Sequence, residues 1–255
     1  MKNVTRSAFL RSMMLGLCTA GLLVACGGGG ADDNTWSVGT EPAFPPFEST
    51  NQSGELEGFD IDLMNAIGEK AGKTIDFQSL PFDGLIPALQ SGTIDAAISG
   101  MSITDERKQT VDFSDPYFAA GLAIAVAKGN PEGIKTIDNL KGKRLAVQIG
   151  TTGAATANSV ADATVTTFDS APLALQELAN GNVDAVINDA PATAEAVKSG
   201  NIPGVEVVGQ ILTDESYGIA LPQGSENAEA INQAIAELKA DGTYATLYKK
   251  WIGSE

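Results

Sequence analysis

Histidine is absent from all 255 residues of the sequence, and only two cysteines occur. Without histidine the chain cannot form a Ser-His-Asp triad or a Cys-His dyad, and an ordinary zinc site is excluded as well. An enzyme built from this sequence would therefore depend on carboxylate, lysine or tyrosine chemistry. We expect no metal site, no cofactor and no catalytic activity.

Both cysteines lie near the N-terminus, in a region with the features of an export signal. Three basic residues precede an apolar stretch of 13 residues, 13–25, which is shorter than a membrane-spanning helix but typical of a secretory signal. The stretch runs into LVAC, which resembles the lipobox of bacterial lipoproteins, whose cysteine is acylated. We expect residues 1–25 to be a signal peptide and Cys26 to carry lipid. The alternative is a signal peptide with an incidental cysteine.

The segment that follows predicts a lipidated, flexible tether over residues 26–34, because glycine and aspartate dominate it. Cys18 would be removed with the signal peptide, so the exported domain would hold no disulfide. Its stability must come from a hydrophobic core, which about 220 residues can form. No later apolar run reaches membrane-spanning length, so the lipid alone would anchor the protein at the membrane.

Basic residues are half as frequent as acidic ones, at 16 against 32. Removing the signal peptide leaves 13 basic and 32 acidic residues, a net charge of −19. Such a surface repels nucleic acid and anionic lipid headgroups. We expect no nucleic-acid partner.

Short β-type runs alternate with helical runs from Thr35 onwards, which is typical of an α/β fold. The first predicted elements are a strand at 36–40, a helix at 59–71 ended by Gly72, a strand at 74–77, a helix at 85–90 and a buried strand at 94–98.

Residues 91–100 (SGTIDAAISG) match residues 180–189 (NGNVDAVIND) position for position. Each follows a helix rich in alanine and leucine, with a glycine as the helix cap and the apolar run as the next strand. Chance similarity is one explanation. The other is a pair of similarly built lobes, each bringing the carboxyl end of a strand to a shared cleft.

The connections favour two lobes. The apolar run at 122–127 would leave the first half, and 217–222 would be its antiparallel return partner, so that the two form a hinge. The first lobe would then comprise 35–121 and 218–255, with 122–217 as the second. Two helices within 228–252 would pack on the first lobe. A single large sheet is the alternative.

Six blocks of sequence, taken in order, resemble the family 3 extracellular solute-binding proteins of bacteria. They are GTEPAFPPFE at 39–48, GFDIDL at 58–63, FDGLIPAL at 82–89, MSITDER at 101–107, DFSDPY at 112–117, and DGTY at 241–244 with YKKW at 248–251. The resemblance implies a two-lobed, periplasmic-binding-protein-like fold of type II, with the lobes joined by a two-strand hinge.

The resemblance also implies a site for a free amino acid, whose two charged groups must both be paired when buried. Arg107 would bind the carboxylate through its bidentate fork, with the Ser102 hydroxyl and the Thr152 amide completing that pocket. Asp189 and the Gly100 carbonyl would bind the ammonium. Ligand held in this way by both lobes would favour closure.

The side chain of the ligand would contact the remaining residues of the implied site, which are Phe44, Phe82, Glu41, Gln148 and Asn188. Each assignment has a simpler alternative. Arg107 lies in a charged run typical of a solvated helix face. Asp189 could cap the next helix, and the two phenylalanines could be core residues. The GTTG sequence at 150–153 is similar to a phosphate loop, but no lysine follows it.

Glu41 with aromatic faces favours a cationic side chain, so arginine leads as the ligand, with lysine or glutamine close behind. We expect the substrate-binding component of an ABC importer, a monomer that delivers the amino acid to the permease subunits. It would be exported and lipid-anchored, facing the periplasm or the extracellular side. The alternatives are an amino-acid sensor and an enzyme of the cyclohexadienyl or arogenate dehydratase type, with Glu41 as its proton donor.

Overall fold

The computed structural model describes residues 34–253, so the predicted signal peptide and Cys26 lie outside the described residues. Within that range, none of the helices combines the length and the apolar character that a bilayer crossing requires. The α-helices are α1 (Phe59–Ala71), α2 (Phe82–Gln90), α3 (Thr152–Asn158), α4 (Ala171–Ala179), α5 (Ala190–Ser199), α6 (Asn227–Ala240) and α7 (Thr243–Trp251). Two short 3-10 helices span Arg107–Gln109 and Ile137–Leu140.

Fifteen strands are distributed over four sheets in this part of the chain. They are β1 (Thr35–Thr40), β2 (Ala43–Phe44), β3 (Glu48–Thr50), β4 (Leu56–Glu57), β5 (Thr74–Ser79), β6 (Ala96–Ala97), β7 (Val111–Phe113), β8 (Phe118–Ala120), β9 (Leu122–Ala127), β10 (Arg144–Gln148), β11 (Thr164–Phe168), β12 (Ala185–Asp189), β13 (Val205–Val208), β14 (Glu215–Tyr217) and β15 (Ala220–Pro222). A small antiparallel sheet joins β2, β3 and β4.

Two five-stranded sheets form the centres of the two lobes. Sheet 1 has the order β5-β1-β6-β15-β7, and sheet 2 has the order β11-β10-β12-β9-β13. In each sheet the first three strands are parallel, and the fourth runs antiparallel to the third. We name the half of the molecule around sheet 1 the first lobe and the half around sheet 2 the second lobe.

The sequence match between 91–100 and 180–189 reflects this shared architecture. It places β6 and β12 third in their sheets, each beside a parallel strand, β1 and β10 respectively. Gly92 and Gly181 both adopt positive φ angles, of 70° and 78°, at the turn before the strand. The observed strand β6 is shorter than predicted, although the residues at both ends of the predicted run are buried. The prediction of two similarly built lobes is confirmed.

The predicted pairing of 122–127 with 217–222 is wrong. Strand β9 lies inside sheet 2, between β12 and β13, and β15 lies inside sheet 1. The segments that pair where the chain passes between the lobes are β8 and β14, with Tyr217 opposite Phe118. The apolar run at 122–127 is long and buried because it is a central strand of the second lobe.

Helix α1 carries its apolar residues at the expected helical spacing and ends at Gly72, which is left-handed with a φ of 67°. Helices α6 and α7 pack against it, as predicted for the C-terminal segment. Asp62 of α1 accepts hydrogen bonds from Lys250 Nζ and Trp251 Nε1, each at 2.6 Å. Fully burying a large apolar side chain such as Phe59 in this core contributes roughly 1.5–3 kcal/mol.

Candidate functional site

A pocket lies between the lobes. All ten residues of the predicted ligand site line it: Glu41, Phe44, Phe82, Gly100, Ser102, Arg107, Gln148, Thr152, Asn188 and Asp189. Ser99 and Thr151 also line the pocket and were not predicted. That these side chains contact a ligand remains a prediction.

The carboxyl ends of the central strands supply much of the pocket wall, as is typical of open α/β sheets. In the first lobe, Glu41 follows β1, and Ser99 to Ser102 follow β6. In the second lobe, Gln148 ends β10 and Asp189 ends β12. Ser99 and Gly100 match Asn188 and Asp189 in the repeated sequence, so the repeat delivers two pocket residues from each lobe.

Arg107 spans the two lobes at one end of the pocket. Its Nη1 donates to the Ser102 carbonyl at 2.6 Å, and its Nη2 donates to the Gly150 carbonyl at 3.0 Å. The guanidinium carbon lies 5.4 Å from the centre of the Phe82 ring. Burial lowers the pKa of Arg107, and the charges of Asp189, Glu215 and Glu106 oppose that shift. The side chain is half-buried, at the start of a short 3-10 helix.

Glu215 of β14 lies beside Arg107 and was missed by the sequence analysis. One carboxylate oxygen accepts from the Ser102 hydroxyl at 2.6 Å and from the Thr152 hydroxyl at 2.9 Å. The other accepts from Thr213 at 2.8 Å. Ser102 belongs to the first lobe and Thr152 to the second, so the carboxylate joins both lobes to a crossing strand. Nothing in the local sequence signals this role.

Asp189 also lines the pocket and precedes α5. Although it occupies the N-cap position, its side chain makes no capping hydrogen bond, so the capping alternative is wrong. Its Oδ2 instead accepts from the Tyr217 hydroxyl at 2.5 Å. Burial raises the pKa of Asp189 to about 7, with the Tyr217 hydrogen bond opposing the shift.

Glu41 meets Gln148 across the cleft, with Gln148 Nε2 at 3.4 Å from Glu41 Oε2. Burial raises the pKa of Glu41 to about 7, and the Gln148 hydrogen bond partly offsets this. Gln148 also donates to the Asp169 carbonyl at 3.2 Å. The Asn188 amide donates to Thr193 at 3.0 Å. Gln148 and Asn188 therefore keep their carbonyl oxygens available to a donor in the pocket.

The backbone of Glu41 is fixed by Ser99. Its N–H donates to the Ser99 hydroxyl at 3.0 Å, and that hydroxyl donates to Glu48 at 2.8 Å. The sequence repeat pairs Ser99 with Asn188, so the match between the two segments was a signal that could have identified Ser99.

The charges of the pocket define its chemistry. Of the described residues that line it, Arg107 is the cation, and Glu41 and Asp189 are the carboxyl groups. A buried guanidinium suits a carboxylate, and a buried carboxylate suits an ammonium or guanidinium group. The pocket can therefore pair one anionic and two cationic groups of a small molecule.

Comparison with known proteins gives matches along nearly the whole described chain. The model of the bacterial extracellular solute-binding proteins, family 3, matches residues 36–254. A probable histidine-binding protein of Neisseria gonorrhoeae is 36% identical in an alignment 252 positions long, which covers 93% of each chain.

Solved structures of similar proteins share the fold. An ancestral arginine-binding protein bound to arginine is 50% identical, with a TM-score of 0.83, covering 86% of this chain and 99% of its own. The form bound to glutamine is 49% identical, with a TM-score of 0.80 and coverages of 87% and 99%. An ancestral amino acid-binding protein, a precursor of cyclohexadienyl dehydratase, is 40% identical, with a TM-score of 0.80 and coverages of 86% and 96%.

Proposed function

We propose that this chain, which belongs to the bacterial extracellular solute-binding proteins of family 3, captures a free basic or polar amino acid for an ABC importer. Arginine is the favoured ligand, and lysine or glutamine is the next choice. The arginine-binding and glutamine-bound ancestral structures support this class of ligand. In this assignment the protein binds and releases its ligand without changing it.

The observation that carries the proposal is the set of charges in the pocket, one cation against two carboxyl groups. Arg107 would pair with the ligand carboxylate, and Asp189 with the ammonium, aided by the Gly100 carbonyl. Glu41 then remains for the side chain. An arginine or lysine side chain completes the third pair, so that no charge is buried without a partner.

The other lining residues fit the same assignment. Ser102 and Thr152 flank Arg107. The Thr152 N–H would donate to the ligand carboxylate, and the Ser102 hydroxyl would do so after release from Glu215. Phe44 and Phe82 supply aromatic faces for the stem of the side chain, while Gln148 and Asn188 offer carbonyl oxygens to its N–H groups. A glutamate ligand would place a third carboxylate near Glu41, with no further cation among the lining residues to pair with it.

A thermal-shift panel of the twenty amino acids tests the proposal, because a tight ligand raises the melting temperature by mass action. Calorimetry on the ligands that raise it would then rank arginine, lysine and glutamine. Arginine should give the largest shift. A best response to glutamate would contradict the assignment of Glu41, and no response to any amino acid would contradict the proposal as a whole.

We also propose that residues 1–25 direct export, that Cys26 is acylated and that 26–34 tether the domain to the membrane. Fatty-acid labelling of the wild type that is absent from Cys26→Ser would support the lipid anchor, and equal labelling of both would exclude it.

The first lobe would comprise 35–121 and 218–255, and the second lobe 122–217. The protein would be a monomer that closes around the ligand and docks on the permease subunits.

A second candidate function is a dehydratase of the cyclohexadienyl or arogenate type. The observation that favours this function is the similarity to a precursor of cyclohexadienyl dehydratase. Glu41 would be its proton donor, since it is a pocket carboxyl with a pKa of about 7. The same similarity also suits a binding protein, because that precursor is itself an amino acid-binding protein. An amino-acid sensor with the same pocket would differ in its partners rather than in its ligand.

A further inference from the structure

Two acidic side chains lie directly behind the pocket wall, fully buried, and neither lines the pocket. Glu48 belongs to β3 and Asp60 to the first turn of α1, and both have 0% exposure. No lysine or arginine of the described chain offsets either charge. Two buried carboxylates without a cation would repel each other strongly, so an arrangement with both groups ionised is unfavourable.

Only two of the four carboxyl oxygens of Glu48 and Asp60 accept a hydrogen bond from another residue of the described chain. Glu48 Oε1 accepts from the Ser99 hydroxyl at 2.8 Å. Asp60 Oδ2 accepts from the Gly100 N–H at 2.8 Å and from the Tyr117 hydroxyl at 2.7 Å. Glu48 Oε2 and Asp60 Oδ1 are buried and find no donor among the described residues. The two carboxyl groups lie close enough for the charge of Asp60 to act on Glu48.

We propose that Glu48 and Asp60 share one proton, which Glu48 Oε2 carries and donates to Asp60 Oδ1, and that this pair positions the pocket wall of the first lobe. A single proton gives both remaining oxygens a partner, one as donor and one as acceptor. It also reduces two buried charges to one. The positioning role rests on the proposed function, whereas the shared proton does not.

The surroundings assign the proton to Glu48. Asp60 accepts two hydrogen bonds from protein donors and Glu48 accepts one, so a negative charge is better stabilised on Asp60. Burial and the Asp60 charge raise the pKa of Glu48 well above its usual range, and burial raises that of Asp60 to about 6. The other titratable groups that act on the pair, Glu41, Tyr117 and Tyr217, include no cation.

The pair controls two parts of the ligand site through adjacent residues. Glu48 holds the Ser99 hydroxyl, which in turn accepts from the backbone N–H of Glu41. Asp60 holds the N–H of Gly100, whose carbonyl is the proposed acceptor for the ligand ammonium. Movement of the pair would therefore displace Glu41 and Gly100 together.

Infrared spectroscopy of the full chain at pH 9 tests the shared proton. Glu41 and Asp189, with pKa values of about 7, are ionised at that pH and do not contribute a carboxylic-acid band. The wild type should retain one such C=O band, which Glu48→Gln should remove and the exposed control Glu55→Gln should not. The absence of the band from the wild type, or its persistence in Glu48→Gln, would overturn the proposal.

Calorimetry with arginine tests the assignment and the positioning role. Glu48→Gln supplies a permanent donor to Asp60 and should bind within about three-fold of the wild type. Glu48→Leu loses the Ser99 contact, and Asp60→Asn moves the charge to the poorer site, so each should weaken binding at least ten-fold. The reverse order, with Asp60→Asn tolerated and Glu48→Gln impaired, would place the proton on Asp60. If arginine is not a ligand, the infrared result still decides whether the proton is shared.

Discussion

The hydroxyl of Tyr217 lies 2.5 Å from Asp189 Oδ2, which links a crossing strand to the carboxyl group at the end of β12. Both groups are buried. Burial raises the pKa of Asp189 to about 7, and the Tyr217 hydrogen bond holds it below the value that burial alone would give. The protonation state of the proposed ammonium site therefore depends on a residue outside the pocket lining.

Tyr217→Phe should weaken arginine binding near pH 7. The pH below which the affinity for arginine falls should be higher than in the wild type. Removing the hydroxyl raises the pKa of Asp189 further, so that more of the unliganded protein is protonated. A ligand ammonium needs the ionised carboxylate. Protonation of that carboxylate lowers the affinity by up to about ten-fold for each pH unit below its pKa. Calorimetry from pH 5 to 9 measures the profile, with Tyr248→Phe as the control. Superimposable profiles would contradict the role of Tyr217.

Glu41→Gln should cost arginine more affinity than glutamine, by about 1 to 2 kcal/mol, because a charge-assisted hydrogen bond is stronger than a neutral one. The pH dependence should separate the two ligands as well. Arginine needs both Glu41 and Asp189 ionised, whereas glutamine needs only Asp189. Below pH 6 the affinity of the wild type for arginine should therefore fall more steeply with pH than its affinity for glutamine. Equal slopes for the two ligands, measured by calorimetry, would place Glu41 away from the ligand side chain.

Arg107→Lys keeps the positive charge but loses the planar fork that reaches the Ser102 and Gly150 carbonyls. The affinity for arginine should fall at least ten-fold, which corresponds to about 1.4 kcal/mol. Lys108→Ala, at the exposed neighbouring position, is the matched control. Unchanged calorimetric affinity in Arg107→Lys would remove this guanidinium from the proposed site.

Glu215→Ala should open the ligand-free protein, because one carboxylate joins the Ser102 and Thr152 hydroxyls from opposite sides of the cleft. Small-angle X-ray scattering without ligand should give a larger radius of gyration than the wild type gives. Asp214→Ala changes an exposed acidic neighbour and should leave it unchanged. An equal radius for Glu215→Ala and the wild type would show that other contacts hold the lobes together.

The protein should form no aromatic product from prephenate or arogenate above the buffer background. Histidine is absent, and Glu41 is the one proton donor that we propose for such chemistry. Chromatography of the incubated substrates provides the measurement. Product formation by the wild type that is lost in Glu41→Gln would replace the binding assignment with the enzymatic one.

The sequence predicted the two lobes because their similarity is local. Each copy of the repeat is ten residues long and contains the cap glycine, the buried strand and the polar residue that follows the strand. Helix α1 was predicted with its observed bounds for the same reason, since the apolar spacing and Gly72 are adjacent along the chain. The pairing of the crossing strands was not predictable in this way, because burial of 122–127 does not reveal which sheet the strand enters.

In the pocket, too, features that are local in the sequence were predicted and contacts between distant residues were not. Its ten predicted residues came from motifs that a family resemblance identifies one by one, and they converge in space. Their supporting partners depend on contacts between distant positions. Ser99 and Glu48 are 51 residues apart, and Ser102 and Glu215 are 113 residues apart. No periodicity or spacing within the sequence encodes such pairs.

Strand β15 lies between β6 and β7, although it follows both in the chain by more than 100 residues. Sheet 1 therefore cannot be completed until the chain has extended to residues 220–222. Sheet 2 draws all its strands from 122–208 and has no such requirement. The sheet of the second lobe can thus form from one continuous segment, whereas the sheet of the first lobe needs an interior strand from the far side of that segment.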